Sequence, residues 1–305
     1  MSAELSQRIL QSVEGVVLGK PVESRLALCC LLAGGHLLIE DLPGMGKTTL
    51  AQSLSRVMGF TFSRIQFTSD LLPGDILGGS VPELTRSSFV FKPGPVFAQV
   101  VLADEINRAS PKTQSALLEA MEERQVSMDG AVYALPEPFF VIATQNPIGQ
   151  AGTQRLPESQ LDRFLMRISL GYPSAQAERR LLAGLDARQS LAELKPVLEL
   201  ATFREMQKVV RAVTVRDALL DYVQRLIAAT RGRREIAVGL SPRAAIGLVS
   251  AARAMACVQG RMHVLPDDVQ DVFVAVAGHR LQTVATASDG ADQARLILES
   301  VDVLA

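Results

Sequence analysis

The stretch LLIEDLPGMGKTT, residues 37–49, decides the fold of this chain. Its apolar start predicts a short buried strand, the Pro and Gly that follow predict a tight turn, and apolar residues from Thr48 to Met58 recur at helical spacing. Strand, glycine-rich loop and helix in this order are the setting of a phosphate-binding loop. The glycines let backbone N–H groups face phosphates, and the helix start adds positive potential. The stretch therefore predicts a nucleotide site.

The loop residues carry separate parts of this prediction. Lys47 is expected to reach the β- and γ-phosphates, and the Thr48 hydroxyl is expected to ligate Mg²⁺. Asp41 stands where the phosphate-loop template has its first Gly, so a chance GKT in a glycine-rich turn is the alternative. The residues expected to contact the nucleotide are Pro43, Gly44, Met45, Gly46, Lys47, Thr48 and Thr49.

An acidic pair ends a second apolar strand. Residues 100–103 are all apolar, and Asp104 and Glu105 follow them directly. Ligands of parallel sheets bind at the carboxyl ends of the strands. We therefore expect Asp104 to hold Mg²⁺ through water and Glu105 to orient and polarise the attacking water. A solvated strand end is the alternative for such a pair, and the preceding phosphate loop disfavours it.

Three further apolar runs complete the predicted sheet. The stretch 62–67 alternates like a strand and 139–143 is a buried-strand run, both short and rich in β-branched or aromatic residues, and 166–170 supplies a possible fifth strand. Asn146 follows the second run, where it could bond the γ-phosphate or the nucleophilic water; an Asx-turn residue before Pro is the alternative. Gln66, near the end of the first of these stretches, could contact Glu105 or the phosphates. Strands alternating with helices predict an α/β fold with a parallel five-stranded sheet covered on both faces.

The pattern changes after Tyr172. No further strand run is evident there, and apolar residues recur at helical spacing. Thr202 and Glu205 have the spacing of a capping box, Ser241 precedes a Pro at a first helical turn, and another helix begins near Pro266. We expect an α/β nucleotide-binding core at 1–172, a linker and first lid segment at 173–201, and an all-α lid domain at 202–305.

Composition limits the class of protein. The chain has 305 residues, 48% of them hydrophobic, a formal net charge of −1 and three cysteines. These values predict two soluble domains with real cores, and they disfavour a disordered chain, a disulfide framework or a zinc site. The cysteines are expected to be small core residues. The near-neutral charge argues against a nucleic-acid partner. No signal peptide or membrane-spanning run is visible, so we expect a cytoplasmic protein.

Five sequence blocks, in this order along the chain, resemble the MoxR family of AAA+ ATPases. They are residues 38–48, 103–109, 143–147, 156–164 and 240–244, which read LIEDLPGMGKT, ADEINRA, ATQNP, LPESQLDRF and LSPRA. The resemblance covers almost the whole chain. Asp at position 41 is usual in that family, which softens the departure from the phosphate-loop template.

The resemblance implies an ATP- and Mg²⁺-dependent hydrolase that acts as a homo-oligomeric ring, usually a hexamer, with ATP held between subunits. Asn146 then resembles sensor 1. Arg163 resembles the arginine finger that enters the neighbour's site and stabilises charge on the transferring phosphoryl, with Arg155 as a rival for that role. Arg243 resembles sensor 2, which touches the γ-phosphate and couples lid position to nucleotide state. An ion pair of Arg163 with Asp162 and a solvated Arg243 are the alternatives.

The resemblance also assigns roles to less regular segments. Val17 and Leu18 lie in the segment that packs on the adenine base, or alternatively in a core strand or turn. An insert within the second helix at 70–95 and a β-hairpin ahead of sensor 1 at 125–136 are candidates for contact with a substrate. A purely structural hairpin is an equal alternative, since neither tip has a distinctive aromatic or basic cluster.

Family resemblance further implies a protein client, whose remodelling, maturation or metal insertion the ATPase would assist, and a von Willebrand factor A domain partner. The chain leaves no room for such a domain, so we expect the partner to be a separate polypeptide. A magnesium-chelatase-like motor subunit is the nearest alternative function. A nucleic-acid motor is disfavoured by the net charge of −1, and a non-catalytic nucleotide-binding scaffold by the presence of both Glu105 and Lys47.

Overall fold

The computed structural model describes residues 2–83, 88–146, 156–183, 187–284 and 289–303. The strands are β1 (His36–Glu40), β2 (Phe62–Gln66), β3 (Gly78–Glu83), β4 (Ser88–Pro93), β5 (Val100–Asp104), β6 (Gln125–Met128), β7 (Ala131–Ala134), β8 (Phe140–Gln145), β9 (Phe164–Ile168), β10 (Ile236–Val238) and β11 (Gln282–Thr283). The helices are α1 (Ser2–Glu14), α2 (Pro21–Leu32), α3 (Lys47–Val57), α4 (Pro73–Leu77), α5 (Pro111–Glu123), α6 (Glu158–Leu161), α7 (Ala175–Leu182), α8 (Ala187–Glu193), α9 (Leu200–Ala212), α10 (Asp217–Gly232), α11 (Pro242–Val258), α12 (Pro266–Ala277) and α13 (Gly290–Ser300), with a 3₁₀ turn at Ile106–Arg108.

Five strands form the predicted parallel sheet, in the order β2-β5-β8-β1-β9. Every neighbouring pair runs parallel, so the carboxyl ends of all five strands meet at one edge. Successive residues alternate between two buried faces. Leu37 and Ile39 of β1 pack into one apolar cluster and Leu38 packs into the other. Burial on both faces explains why these strands are nearly continuous apolar runs.

The site residues lie at the two opposite ends of these strands. At what we call the carboxyl edge, β1, β5 and β8 end at Glu40, Asp104 and Gln145. At the amino edge, β1 begins at His36, which pairs with Phe164 at the start of β9. The two edges are about 13 Å apart, because a strand rises roughly 3.3 Å per residue and the 5 residues of β1 span four such steps.

Helices make up most of the chain after β9, and they pack against the sheet half. α11 lies against α12, α2 and α9. Phe203 of α9 lies edge-on to Phe60 and Phe140, with ring centroids 5.0 and 5.7 Å apart. One apolar cluster therefore runs from the sheet into the helical half. This architecture confirms the predicted α/β core followed by a helical lid.

Some details differ from the sequence-based expectation. β9 occupies Phe164–Ile168 and so begins two residues before the predicted run. β10 and β11 pair antiparallel, so the prediction of no strand after Tyr172 is wrong; strands of three and two residues are too short to give an alternating pattern. The predicted capping box is wrong as well, because the N-cap of α9 is Glu199. Ser241 is confirmed as an N-cap, since its hydroxyl accepts a backbone N–H at 3.1 Å.

Two antiparallel hairpins stand beside the sheet. β3 pairs with β4, and β6 pairs with β7. Phe91 and Tyr133 stack across the two hairpins, with ring centroids 3.9 Å apart, and Ser80 donates a hydrogen bond to Asp129 at 2.5 Å. The two hairpins therefore form one surface, on which Phe89 is 75% exposed.

The cysteines behave as the composition predicts. Cys29, Cys30 and Cys257 are free and buried, which confirms them as core residues. Burial raises the pKa of Cys30 to about 12, so this thiol stays protonated at neutral pH. No helix within the described part of the chain is long and apolar enough to cross a membrane.

Candidate nucleotide-binding site

The loop between β1 and α3 has the backbone that its glycines predict. Gly44 and Gly46 have φ values of 85° and 90°, a left-handed region that other residues enter only at a cost. A Cβ built at either position would meet nothing within 4 Å, so the requirement for Gly is conformational rather than steric. Gly46 is also the N-cap of α3. Since it has no side chain to cap the helix, the first N–H groups of α3 are available to an anion.

Asp41 replaces the first Gly of the template and ties this loop to a distant segment. Its carboxylate accepts the Leu42 N–H at 2.8 Å, the Ser169 hydroxyl at 3.0 Å and the Gly171 N–H at 2.5 Å. Ser169 and Gly171 follow β9 and lead into the predicted linker, which starts at residue 173. A buried carboxylate thus ties the loop to the segment that leads into the linker, which a Gly at this position could not do.

Lys47 connects the loop with the end of β8. Its ammonium donates to the Asp41 carbonyl at 2.5 Å, to Asn146 Oδ1 at 3.0 Å and to the Gln145 carbonyl at 3.3 Å. Burial lowers the pKa of Lys47, and the nearby carboxylates of Asp41 and Asp104 oppose that shift. The ammonium is therefore held at the carboxyl edge, beside the glycine-rich loop.

Asp104 ends β5 and is bonded on both carboxylate oxygens. Oδ1 accepts the Thr144 hydroxyl at 2.6 Å, and Oδ2 accepts Arg64 Nη2 at 2.6 Å and Nε at 3.1 Å. Arg64 lies on β2, the strand next to β5, and its side chain is 48% exposed. Asp104 therefore lies at the same edge as Lys47, paired with a guanidinium that solvent can reach.

Glu105 follows Asp104 with a φ of 57°, a left-handed conformation that costs a non-glycine residue roughly 1–3 kcal/mol. Four contacts hold it there. Its N–H donates to the Thr144 hydroxyl at 2.9 Å, Oε1 accepts Asn146 Nδ2 at 3.0 Å, and Oε2 accepts Gln66 Nε2 and Arg108 Nη1, each at 3.0 Å. The expected contact between Gln66 and the acidic pair is thus present.

Thr48 and Asp104 are the residues predicted to hold Mg²⁺. Thr48 lies in the first turn of α3, and Asp104 lies at the end of β5. No group of three or more His, Cys, Asp or Glu side chains in the described ranges could hold a metal ion. Mg²⁺ usually keeps several waters and binds through one or two carboxylates plus substrate phosphates. One hydroxyl and one carboxylate therefore fit an ion that arrives with a nucleotide.

Val17 and Leu18 lie in the turn after α1 and are buried. Lys20, two residues further on, donates to the Tyr172 carbonyl at 2.7 Å. A Cβ at Gly19 would lie 3.2 Å from the side chain of Ser174. This turn therefore packs against the start of the linker to the lid. Contact of Val17 and Leu18 with an adenine base stays a prediction.

Arg163 and Arg243 lie at the amino edge, away from the phosphate loop. Both bind the carboxylate of Glu122, Arg163 through Nη2 at 2.9 Å and Arg243 through Nη1 at 3.0 Å. Arg163 directly precedes β9, whose first residue pairs with His36. Glu122 follows Met121, whose carbonyl lies 3.3 Å from His36 Nε2. One chain thus brings Lys47, Asp104, Glu105 and Asn146 together and keeps both arginines apart from them.

The alternative partner considered for Arg163 is wrong. Asp162 binds Arg280 instead, at 2.6 Å from Nε, while Arg163 binds Glu122. Arg243 shares that carboxylate and is still 52% exposed, so it is a largely solvated arginine with one ion pair. Arg155, the rival for the role of the finger, lies outside the described residues.

Sequence reasoning missed several residues that contact the predicted set. Arg64 could have been found, because it lies two residues before Gln66 on one strand and so shares its face. Arg108 follows Glu105 by three residues within the 3₁₀ turn, a spacing at which side chains meet. Thr144 is the residue two before Asn146, at the end of a buried strand. Glu122 gave no signal, since its partners come from distant parts of the chain.

A phosphate loop after β1, an acidic pair at the end of β5, one strand further across the sheet, and a helical lid define the class of AAA ATPases. Residues 36–166 match the family model described as "ATPase family associated with various cellular activities (AAA)", and residues 228–299 match the "AAA lid domain". A crystal structure described as that of "a putative ATPase" from Cytophaga hutchinsonii has a TM-score of 0.88 and 34% identity, covering 99% of this chain and 95% of that one.

Curated relatives identify the family within this class. Chaperone MoxR1 of Mycobacterium tuberculosis is 43% identical over 90% of this chain and 75% of its own length. Protein MoxR of Paracoccus denitrificans is 35% identical over 88% and 86%. YeaC of Bacillus subtilis, an uncharacterised protein, is 42% identical over 96% and 92%. The chain belongs to the MoxR family of AAA+ ATPases.

Proposed function

We propose that this protein hydrolyses ATP to ADP and phosphate with the help of Mg²⁺. The observation that carries the proposal is the continuous set of contacts at the carboxyl edge. Lys47 binds Asn146, and Asn146 binds Glu105, each at 3.0 Å. The cation that would bind phosphates is thus linked through one amide to the carboxylate that would act on water. Asp104 lies beside them at the end of β5.

Each residue would contribute one part of the reaction. The N–H groups at the start of α3 and the ammonium of Lys47 would bind the phosphate oxygens. Thr48 and Asp104 would hold Mg²⁺, which supplies charge neutralisation when it is bound. Glu105 would accept a hydrogen bond from the attacking water and align it with the γ-phosphate, while Asn146 keeps the Glu105 carboxylate next to Lys47.

The active form is proposed to be a ring of identical subunits, most simply a hexamer. Arg163 and Arg243 support it, because within one chain they lie at the edge opposite Lys47. Two arginines at a surface suit an anion, and the γ-phosphate held by a neighbouring copy is one. A head-to-tail interface that repeats around a closed ring would give every phosphate loop one such pair. We assign Arg163 as the finger and Arg243 as the sensor of the neighbour's nucleotide.

The proposed biological role is chaperone-like remodelling of a protein client, including maturation or metal insertion, in the cytoplasm. The relative named Chaperone MoxR1 supports this class of role. A separate protein with a von Willebrand factor A domain is the proposed partner. The net charge of −1 argues against a nucleic-acid substrate. The surface shared by the two hairpins, with exposed Phe89, is the candidate contact for the client.

The first test is phosphate release by the purified protein with and without Mg²⁺, compared with a Glu105→Gln variant. We expect the variant to bind ATP with unchanged affinity and to release phosphate at least on the order of 100-fold more slowly, because its amide cannot accept a proton from water. A Glu123→Gln variant, which neutralises an exposed carboxylate on α5, should behave as wild type. Equal phosphate release by Glu105→Gln and wild type would contradict the catalytic role proposed for Glu105.

The proposed partner is tested with the same variant. Held in its ATP-bound state, Glu105→Gln should capture a protein with a von Willebrand factor A domain and should lose it when Lys47→Ala prevents nucleotide binding. Capture of that partner by both variants alike would contradict a nucleotide-dependent complex.

A further inference from the structure

The carboxylate of Glu122 joins the two halves of the molecule at the amino edge. It lies near the end of α5 in the sheet half. Its Oε2 binds Arg163 of the same half at 2.9 Å, and its Oε1 binds Arg243 in the first turn of α11, in the helical half, at 3.0 Å. Each oxygen of one side chain therefore holds a different arginine.

The charges around Glu122 leave the group positive. Two guanidinium groups share one carboxylate, while Arg280, the next arginine in this region, is bound by Asp162 at 2.6 Å. Arg124, at the end of α5, donates to the Gly34 carbonyl. This acceptor is neutral, so it adds no negative charge to the group. The cluster therefore keeps the two arginines close together without neutralising them both, and it retains attraction for an anion.

We propose that Glu122 is a positioning residue for hydrolysis in the neighbouring subunit. It holds Arg243 of the lid in register with Arg163 of the core, so that both guanidinium groups meet the same γ-phosphate when two copies associate. The inference rests on the proposed function, in which these arginines act on a neighbour's nucleotide. Glu122 itself touches neither the nucleotide nor water in the reaction; it acts through the arginines.

The physical basis is preorganisation. A free arginine side chain samples many rotamers, and two arginines on separate elements repel each other. Without a shared counterion, the two arginine side chains would have to be ordered and brought together each time the neighbouring subunit presents a phosphate. Fixing reacting groups beforehand accelerates a reaction, and small displacements of such groups slow it strongly.

This role can be separated from a role in stability. The side chains of Glu122 and Arg243 are 37% and 52% exposed, and exposed ion pairs contribute little to folding. Loss of Glu122 should therefore leave the folded state intact. It should also leave ATP binding by the same subunit intact, because the phosphate loop lies at the opposite edge of the sheet.

The test compares Glu122→Gln with Glu123→Gln in the full chain. Glu123 is the next residue of α5 and is exposed, and its side chain makes no hydrogen bond or ion pair to any residue that the structure describes. We expect Glu122→Gln to lower kcat on the order of tenfold with unchanged ATP Kd and unchanged thermal midpoint, and Glu123→Gln to match wild type. Glu122→Asp, which keeps the charge on a shorter side chain, should recover part of the loss.

Mixing of subunits shows whether Glu122 acts across the interface. Glu122→Gln subunits retain an intact Glu105, and Glu105→Gln subunits retain an intact Glu122. Mixed assemblies should therefore turn over ATP faster than either variant alone. Unchanged or increased kcat in Glu122→Gln, or a loss that mixing does not relieve, would overturn the inference. Normal turnover by Arg163→Ala would instead contradict the proposed action in trans, so the two failures are distinguishable.

Discussion

The two edges of one sheet carry their functional residues in different ways. At the carboxyl edge, Lys47, Asp104 and Asn146 are buried and joined to neighbouring groups by hydrogen bonds. At the amino edge, Arg163 and Arg243 come from two halves of the chain, are partly exposed, and meet only through a shared carboxylate.

The difference follows from where the polar side chains of each edge find their partners. Buried polar groups must satisfy one another, so the carboxyl edge is determined within one chain. Arg163 and Arg243 already share one carboxylate of their own chain, but they lie away from its phosphate loop, so a phosphate reaches them only from another molecule. The amino edge is therefore the part of the proposed site that depends on assembly.

The largest expected effect comes from a substitution at the amino edge alone. Arg163→Ala should lower ATP turnover about 10³-fold, the low end of the contribution known for arginine fingers. ATP affinity of the same subunit should stay unchanged, because Lys47 and its partners lie at the other edge. Steady-state kinetics and nucleotide titration measure the two quantities. Arg295→Ala, on an exposed ion pair of α13, is the matched control, and weaker ATP binding by Arg163→Ala would contradict the separation of the edges.

A smaller effect is expected where the carboxyl edge is tied to the segment that leads from β9 into the linker. Asp41→Gly restores the template of the phosphate loop, yet it removes the acceptor for the Ser169 hydroxyl and the Gly171 N–H. Because Ser169 is exposed and Gly171 is half-buried, water can replace the lost acceptor, and loss of such a hydrogen bond costs about 0.5–1.5 kcal/mol. We expect that loss in the free energy of unfolding, measured by urea titration, together with weaker ATP binding. Tighter ATP binding by Asp41→Gly would show that the tie to the linker does not support the loop.

The smallest effect is expected at the exposed rim of the carboxyl edge. Arg64→Ala removes a half-exposed guanidinium from Asp104, and such pairs contribute about 0–1 kcal/mol. Stability should therefore change little. The Mg²⁺ concentration for half-maximal turnover should fall by a few-fold, since the ion no longer competes with a guanidinium for the carboxylate. A higher requirement for Mg²⁺ would mean that Arg64 helps to orient Asp104 instead.

The sequence was enough to predict the carboxyl edge because its residues are tied to the ends of apolar strands. Asp104 ends β5, and Glu105 and Asn146 directly follow β5 and β8. Lys47 follows β1 across the glycine-rich loop, and parallel strands bring their carboxyl ends together. Their mutual contacts follow from topology.

The amino edge was less predictable because it depends on pairs of side chains from distant segments. The alternative ion pair of Arg163 with adjacent Asp162 fails since Arg280 takes that carboxylate, and Glu122 was not identified at all. Propensity and spacing describe neighbours along the chain, whereas these contacts are set by how α11 packs against the core. The strands β10 and β11 were missed for a related reason, because their pairing is tertiary and their length gives no pattern.

The most direct test of the account mixes Arg163→Ala subunits with Glu105→Gln subunits and measures phosphate release. Each variant alone should be nearly inactive. In an equal mixture, about a quarter of the interfaces of a closed ring would combine an intact Glu105 with an intact Arg163, so the account predicts that activity returns to a corresponding fraction of the wild-type rate. Release that stays at the level of the separate variants, in mixtures shown to co-assemble, would contradict a site completed by a neighbouring subunit.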